Sequence, residues 1–111
     1  MEISSPFGSQ TRTRVLVALR LLEQSYSREL SRFLRIPLSV VQKGIRSLER
    51  DNLIAGRLAG KTRLLQLNPR YFAAKEVQAL LNKLIEADTD LRSRAGRLRR
   101  KTQRIRPVQG R

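Results

Sequence analysis

The 111-residue sequence contains no cysteine, no histidine and no tryptophan, and aromatic residues make up only 5% of it. Without cysteine, the chain can form neither a disulfide scaffold nor a thiolate site for zinc or an iron–sulfur cluster. Without histidine, it lacks the commonest general base and metal ligand. Most enzyme mechanisms are therefore short of the groups they need. We expect a protein without catalytic activity, without a cofactor and without a bound metal.

Long hydrophobic runs are also missing. No stretch of about 18 apolar residues occurs, so we expect no segment that spans a membrane. The first ten residues show no basic region followed by an apolar stretch, so no secretory signal is expected and the cytoplasm is the expected compartment. A chain of this length normally folds as one domain.

Positive charge is present in large excess, because 24 Lys and Arg residues stand against 9 Asp and Glu, a net charge of +15. This balance predicts a polyanionic partner, with nucleic acid first and an anionic membrane surface second. Nine of the basic residues, and no acidic residue, lie between Arg92 and Arg111. We interpret residues 99–111 as a basic tail, which is either an arm that binds phosphates or a solvated chain end.

Apolar residues spaced three and four apart predict three helices in the first half of the chain. The first helix covers Thr11–Glu23, the second Arg28–Leu34 and the third Leu38–Asp51, and Pro37 fixes where the third helix begins. The bend between the second and third helices is short enough for a helix-turn-helix. The buried stripe of the third helix is expected to consist of Val41, Ile45 and Leu48.

The hydrophobic period changes after the third helix. Residues 54–58 and 62–67 form two short segments around Gly60, and leucines alternate with polar residues in the second segment. This pattern favours a β-hairpin with one covered face. The Asn68–Pro69 pair ends the second strand, since proline cannot donate a hydrogen bond to a sheet. Asn52 stands where the chain needs a left-handed residue to end the third helix.

A helical period returns from Tyr71 to Leu91, and its apolar stripe continues to Leu98. The stripe could close the core of the monomer or pair with a second copy of the chain. Because it is longer than the core of a small monomer requires, we expect a homodimer. The expected dimer contacts are Val77, Leu80, Leu81, Leu84 and Leu91.

In this order of elements the sequence resembles the winged helix-turn-helix transcriptional regulators of the ArsR-like type. Phe7–Leu19 is similar to the first helix of that family and its lead-in, Arg28–Ile54 to its helix-turn-helix, and Ala55–Pro69 to its wing, with Gly60 at the tip. The resemblance covers about residues 7 to 70. It implies a mainly α (α+β) fold in which a three-helix core and a two-stranded β wing (residues 1–70) precede a long C-terminal helix (residues 71–98) and the tail.

The sequence also departs from the family's pattern. Arg35 and Asn52 stand where the family usually has glycine, and Val40 stands at a position that is often polar. Gly44 replaces a histidine or a bulkier residue, and its missing side chain would allow close approach either to another helix or to a DNA backbone. The Cys and His ligands of metal-sensing members are absent, so their thiolate site cannot form.

Positive charge and the resemblance together imply that the third helix enters the major groove of double-stranded DNA. Its outward residues should contact base edges, since glutamine pairs with adenine and lysine or arginine with guanine. These residues are Ser39, Gln42, Lys43 and Arg46. The neighbouring Glu49 and Arg50 are expected to pair locally or to stay solvated.

Further basic residues are candidates for contacts with phosphates. The resemblance implies that wing residues reach a phosphate or the adjacent minor groove, namely Arg57, Lys61 and Arg63. The first two helices add four candidates, Arg12, Arg14, Arg28 and Arg32.

Three functions are consistent with the sequence. The first is a sequence-specific, homodimeric transcriptional regulator with a recognition helix at residues 38–51 and a wing at residues 54–67. The second is an architectural protein that binds DNA or RNA without sequence preference, which the basic tail favours. The third is a winged-helix module for protein–protein contacts, because a fold does not determine a function.

Overall fold

The computed structural model describes residues 6–88 and 93–98. Three helices come first, α1 (Gln10–Leu22), α2 (Ser27–Leu34) and α3 (Leu38–Arg50). A hairpin of β1 (Ile54–Ala59) and β2 (Thr62–Leu67) follows, and then helix α4 (Ala74–Glu86). Residues 93–98 are also helical. This arrangement confirms the predicted fold class, a mainly helical winged helix with a two-stranded wing.

Helix α1 lies at the centre of the core. Residues 15–19 are at most 1% exposed, because α2, α3, α4 and β2 all pack against this helix. Ser9 caps its N-terminus by accepting a hydrogen bond from the backbone N–H of Arg12 at 3.1 Å. The stripe that was predicted for α3 is confirmed, since Val41, Ile45 and Leu48 are all buried.

A three-residue bend joins α2 to α3. Arg35 ends α2 in the left-handed region, at φ 59° and ψ 45°, and Pro37 precedes the first residue of α3. The Ser31 hydroxyl donates to the Ile36 carbonyl at 2.6 Å and so closes the bend. The predicted helix-turn-helix connection is confirmed.

The hairpin is antiparallel and in register from Ile54 opposite Leu67 to Ala59 opposite Thr62. Gly60 and Lys61 form the two-residue turn, and Gly60 has φ 66°, which glycine adopts without strain. As predicted, Asn52 is left-handed, at φ 65°.

The C-terminal helix differs from its predicted length. Helix α4 begins at Ala74 instead of Tyr71, and it ends at Glu86 with Ala87 as its C-cap, so the helical residues 93–98 form a separate stretch. In the described part of the chain, no helix is both long and apolar enough to cross a membrane. Leu91 and the predicted tail at residues 99–111 lie outside the described residues.

The apolar stripe of α4 serves the monomer core more than was expected. Leu81 is fully buried and Ile85 is 8% exposed, and both pack in the core cluster. The prediction that Leu81 contacts a second copy therefore needs correction, because its side chain is already enclosed within one chain. Val77 and Leu84 are half-buried against the core, and Leu80 is 40% exposed.

Candidate nucleic-acid interface

The outward side of α3 carries the four residues that the sequence nominates as base readers. Ser39, Gln42, Lys43 and Arg46, which we call the reading surface, are all exposed. They lie on the side of the helix away from the buried core stripe, as an amphipathic helix requires. Val40, the apolar departure from the family's pattern, is exposed beside them. The buried side of α3 packs against α1 and α2, and α3 also contacts β1.

Gly44 lies on the buried side of α3. A Cβ atom at this position would lie 3.0 Å from Cγ2 of Thr11 in α1. The glycine therefore allows close approach between two helices, which decides between the two roles that the sequence left open.

Arg12 connects α1 to α3 instead of projecting as a solvated cation. Its Nε donates to the carbonyl of Phe7 at 2.7 Å, and its guanidinium also donates to the Ser47 hydroxyl and forms an ion pair with Asp51 at 2.8 Å. Only 18% of its side chain is exposed. The sequence prediction of a phosphate contact is corrected at this residue, because its donors are engaged inside the fold.

All three predicted cations of the wing are exposed, but they differ in their partners. Lys61 is exposed at the tip beside Gly60, and exposed Arg57 makes a 3.5 Å hydrogen bond to Oε1 of Gln24. Arg63 instead forms an ion pair with Glu49, the residue before the last residue of α3.

The Arg63–Glu49 pair is bidentate. Nη1 of Arg63 donates to Oε1 of Glu49 at 3.0 Å, and Nη2 donates to Oε2. This hydrogen bonding is the main reason why the pKa of Arg63 is raised above its ordinary value, and the negative charge of Glu49 adds to it, while desolvation acts the other way. Glu49 was expected to pair locally or to stay solvated, and the structure instead pairs it with a wing residue 14 positions further along the chain.

The remaining predicted phosphate contacts lie on the first two helices. Arg28 and Arg32 are exposed on α2, whereas Arg14 is half-buried on α1. The sequence analysis did not include Arg35 among the candidate phosphate contacts, although this arginine is exposed in the bend that leads into α3. Its signal was an arginine at the position where the family usually has glycine.

Arg94 was counted only as part of the basic excess, yet the structure gives it a definite place. Its guanidinium carbon lies 5.0 Å from the ring centroid of Phe33 at the end of α2, and its Nη2 donates to the carbonyl of Phe33. Together with buried Ala95, these contacts attach the helical residues 93–98 to the helix-turn-helix. No signal in the sequence distinguishes Arg94 from the other arginines around it.

Within residues 6–88 and 93–98, no group of three or more His, Cys, Asp or Glu side chains is placed to hold a metal ion. The expectation of no bound metal stays a prediction. What the described surface offers is an exposed polar helix side with cations on both flanking elements, which suits hydrogen bonding to base edges and charge pairing with phosphates.

Comparison with known proteins supports the fold and no closer assignment. No protein-family model matches the sequence, and no curated protein matches it. Among solved structures, the adhesin competence repressor AdcR from Streptococcus pyogenes matches with a TM-score of 0.60 and 19% identity, over 84% of this chain and 66% of the AdcR chain.

Several structures of ZitR from Lactococcus lactis also match. One mutant gives a TM-score of 0.62 at 18% identity, over 95% of this chain and 73% of that one. The wild type in complex with DNA gives a TM-score of 0.53 at 14% identity, over 96% of this chain and 82% of that one. The chain thus has the winged helix-turn-helix fold that AdcR and ZitR share.

Proposed function

We propose that this protein is a DNA-binding transcriptional regulator that reads double-stranded DNA with α3. The observation that carries the proposal is the reading surface: Ser39, Gln42, Lys43 and Arg46 are exposed on a helix whose other side is fixed in the core. Two solved structures with this fold, the ZitR complexes, contain DNA, and AdcR is a repressor. Within the fold class, the sequence resemblance favours a regulator of the ArsR-like type that acts in the cytoplasm.

The proposed mechanism is binding without a chemical step. Helix α3 lies in the major groove, where Gln42 can pair with adenine and Lys43 or Arg46 with guanine. Lys61 and Arg57 on the wing reach the phosphates or the minor groove beside that site. The net charge of +15 draws the protein to DNA of any sequence, and the base contacts then select the site.

We further propose that the regulator acts as a homodimer through α4. Leu80 is 40% exposed, and half-buried Val77 and Leu84 lie on the same helix. A two-fold dimer would present two copies of α3 to half-sites about one helical turn apart, which matches an inverted repeat.

Selection of bound duplexes from a random DNA pool tests the proposal. We expect enrichment of one motif arranged as an inverted repeat. The variant with Gln42→Ala and Lys43→Ala is the matched control, and it should still bind DNA but should enrich no motif. If the wild-type protein binds duplex DNA and enriches no motif, sequence-specific regulation is wrong.

A second candidate function is binding of DNA or RNA without sequence preference. The nine basic residues between Arg92 and Arg111 favour it, since contacts with phosphates carry no sequence information. Competition between a selected site and scrambled DNA separates the two candidates. A ratio of affinities near one supports the architectural protein, and a ratio of about 10³ or more supports the regulator.

A further inference from the structure

Glu49 is the one carboxylate of α3, a helix that otherwise carries only the positive charges of Lys43, Arg46 and Arg50. Its side chain is 21% exposed and does not project into solvent, because both of its oxygens accept hydrogen bonds from Arg63. An acidic side chain on a helix that binds DNA opposes binding unless a cation neutralises it. Arg63 supplies that cation from the wing.

Gly56 makes the Arg63–Glu49 pair possible. In the hairpin register Gly56 faces Leu65, which places it diagonally across from Arg63. A Cβ atom at Gly56 would lie 2.9 Å from the guanidinium carbon of Arg63 and 2.9 Å from its Nη2. The guanidinium therefore lies across the backbone of Gly56, directed toward α3. At the wing tip, by contrast, Lys61 is exposed and makes no hydrogen bond or ion pair with the described residues.

A carboxylate and a phosphate compete for the same donors of an arginine. Both present two oxygens to the guanidinium fork in the same bidentate geometry. While Glu49 holds both terminal nitrogens of Arg63, the strongest arrangement for a phosphate is already occupied. Arg63 keeps 52% of its side chain exposed, so a phosphate could reach it once the carboxylate is removed.

We propose that Glu49 is a positioning residue that withholds Arg63 from the DNA backbone and so lowers the affinity for DNA of every sequence. This inference rests on the proposed DNA binding and deepens it. The wing then contacts phosphates through Lys61 and Arg57, and Arg63 contributes no counterion release. Contacts between the reading surface and the bases are unchanged by the pair.

The dependence of affinity on salt tests the inference, because it counts phosphate contacts. Each contact adds about 0.9 to the slope of log K against log salt, or about 3.5-fold in affinity lost between 50 and 200 mM salt. The probe is a duplex of random sequence, so no operator is needed. Lys61→Gln removes a wing cation that makes no hydrogen bond or ion pair with the described residues, so it should flatten the slope by about 0.9 and calibrates the measurement.

The two single variants and the double variant of Arg63 and Glu49 form a double-mutant cycle. Arg63→Gln alone should leave the slope unchanged, whereas Glu49→Gln should steepen it by about 0.9. Adding Arg63→Gln to Glu49→Gln should remove that gain. Glu76→Gln, at an exposed position of α4, is the matched control for losing one negative charge, and it should leave the slope unchanged.

Gly56→Ala separates the contact from the charges. The added methyl group displaces the guanidinium of Arg63 and leaves every charge in place. We expect the slope to steepen as it does in Glu49→Gln, with the fold retained because the displaced atoms are the end of a flexible side chain.

Two results would overturn the inference while DNA binding stands. In the first, Arg63→Gln alone flattens the salt slope as much as Lys61→Gln does. In the second, Glu49→Gln and Gly56→Ala both keep the slope of the wild type. If the wild-type protein binds no duplex at all, the proposed function fails and the inference fails with it. The two failures are thus distinguished by the wild-type protein alone.

Discussion

Arg12 and Arg63 each donate to a carboxylate at the end of α3, from two different elements of the fold. Arg12 reaches Asp51 from α1, and Arg63 reaches Glu49 from the wing. Their surroundings differ, since Arg12 is 18% exposed and has two further partners, whereas Arg63 is 52% exposed and has Glu49 as its one side-chain partner among the described residues. Exposed ion pairs contribute little to stability, and partly buried arginines with several partners contribute more.

Replacing Arg12 should destabilise the fold. We expect Arg12→Ala to lower the free energy of unfolding by about 1–3 kcal/mol, because Phe7, Ser47 and Asp51 lose a donor at a half-buried site. Unfolding in urea measures this change. Exposed Arg28→Ala is the control and should stay within about 0.5 kcal/mol of the wild type. Unchanged stability in Arg12→Ala would show that the network does not hold α3 to α1.

At the scale of elements, α3 combines a buried side that fixes it with an exposed side that is chemically suited to reading bases. Gly44 brings it close to α1, and the bend at Arg35 orients it against α2. Neither contact uses the reading surface. Changes on that surface should therefore alter binding and leave folding unaffected.

Truncation of the reading surface should reduce discrimination between DNA sequences. We expect Gln42→Ala and Lys43→Ala each to lower the preference for a selected site over scrambled DNA by about 1–3 kcal/mol, the value of one lost base contact. Competition binding measures this preference. Lys75→Ala, at an exposed position of α4, removes the same charge elsewhere and should leave the preference intact. Equal weakening of both DNA sequences by Lys43→Ala would make it a phosphate contact.

Adjacent leucines of α4 should respond in opposite ways. Leu80→Glu places a charge on the exposed side, and we expect it to convert the proposed dimer to a monomer with little loss of stability. Leu81→Ala leaves a cavity in the core and should lower the free energy of unfolding by about 2–5 kcal/mol. Sedimentation velocity and urea unfolding distinguish the two effects. A Leu80→Glu protein that stays dimeric would place the interface on another surface.

At the scale of the whole molecule, we expect the net charge to set the affinity for DNA of any sequence. Removal of residues 99–111 deletes six basic residues and lowers the net charge from +15 to +9. We expect weaker binding to all sequences and a flatter salt slope, by about 0.9 for each phosphate that the tail neutralises. Binding assays on selected and scrambled DNA measure both effects. A change in the selected motif would mean that the tail reads bases.

Much of this architecture could be predicted from hydrophobic period alone. The buried stripe of α3 and the hairpin around Gly60 lie where their spacing indicates, because a helix and a strand place apolar residues on one side with different periods. The length of α4 could not be predicted, since one continuous stripe also fits two helical stretches separated by a break. The apolar pattern of the sequence also did not indicate that Leu81 faces the core while its neighbour Leu80 is partly exposed.

The sequence by itself determined the helices, the wing, the excess of positive charge and the polar side of the third helix. These are local properties, since period, capping and composition act within a few residues. Only the tertiary structure decided which cations are available to a ligand. Arg12 donates to Ser47, 35 residues away, and Arg63 to Glu49, 14 residues away. Those pairs exist because α1 and the wing both pack against α3, and no local pattern records which carboxylate a folded chain brings to a given arginine.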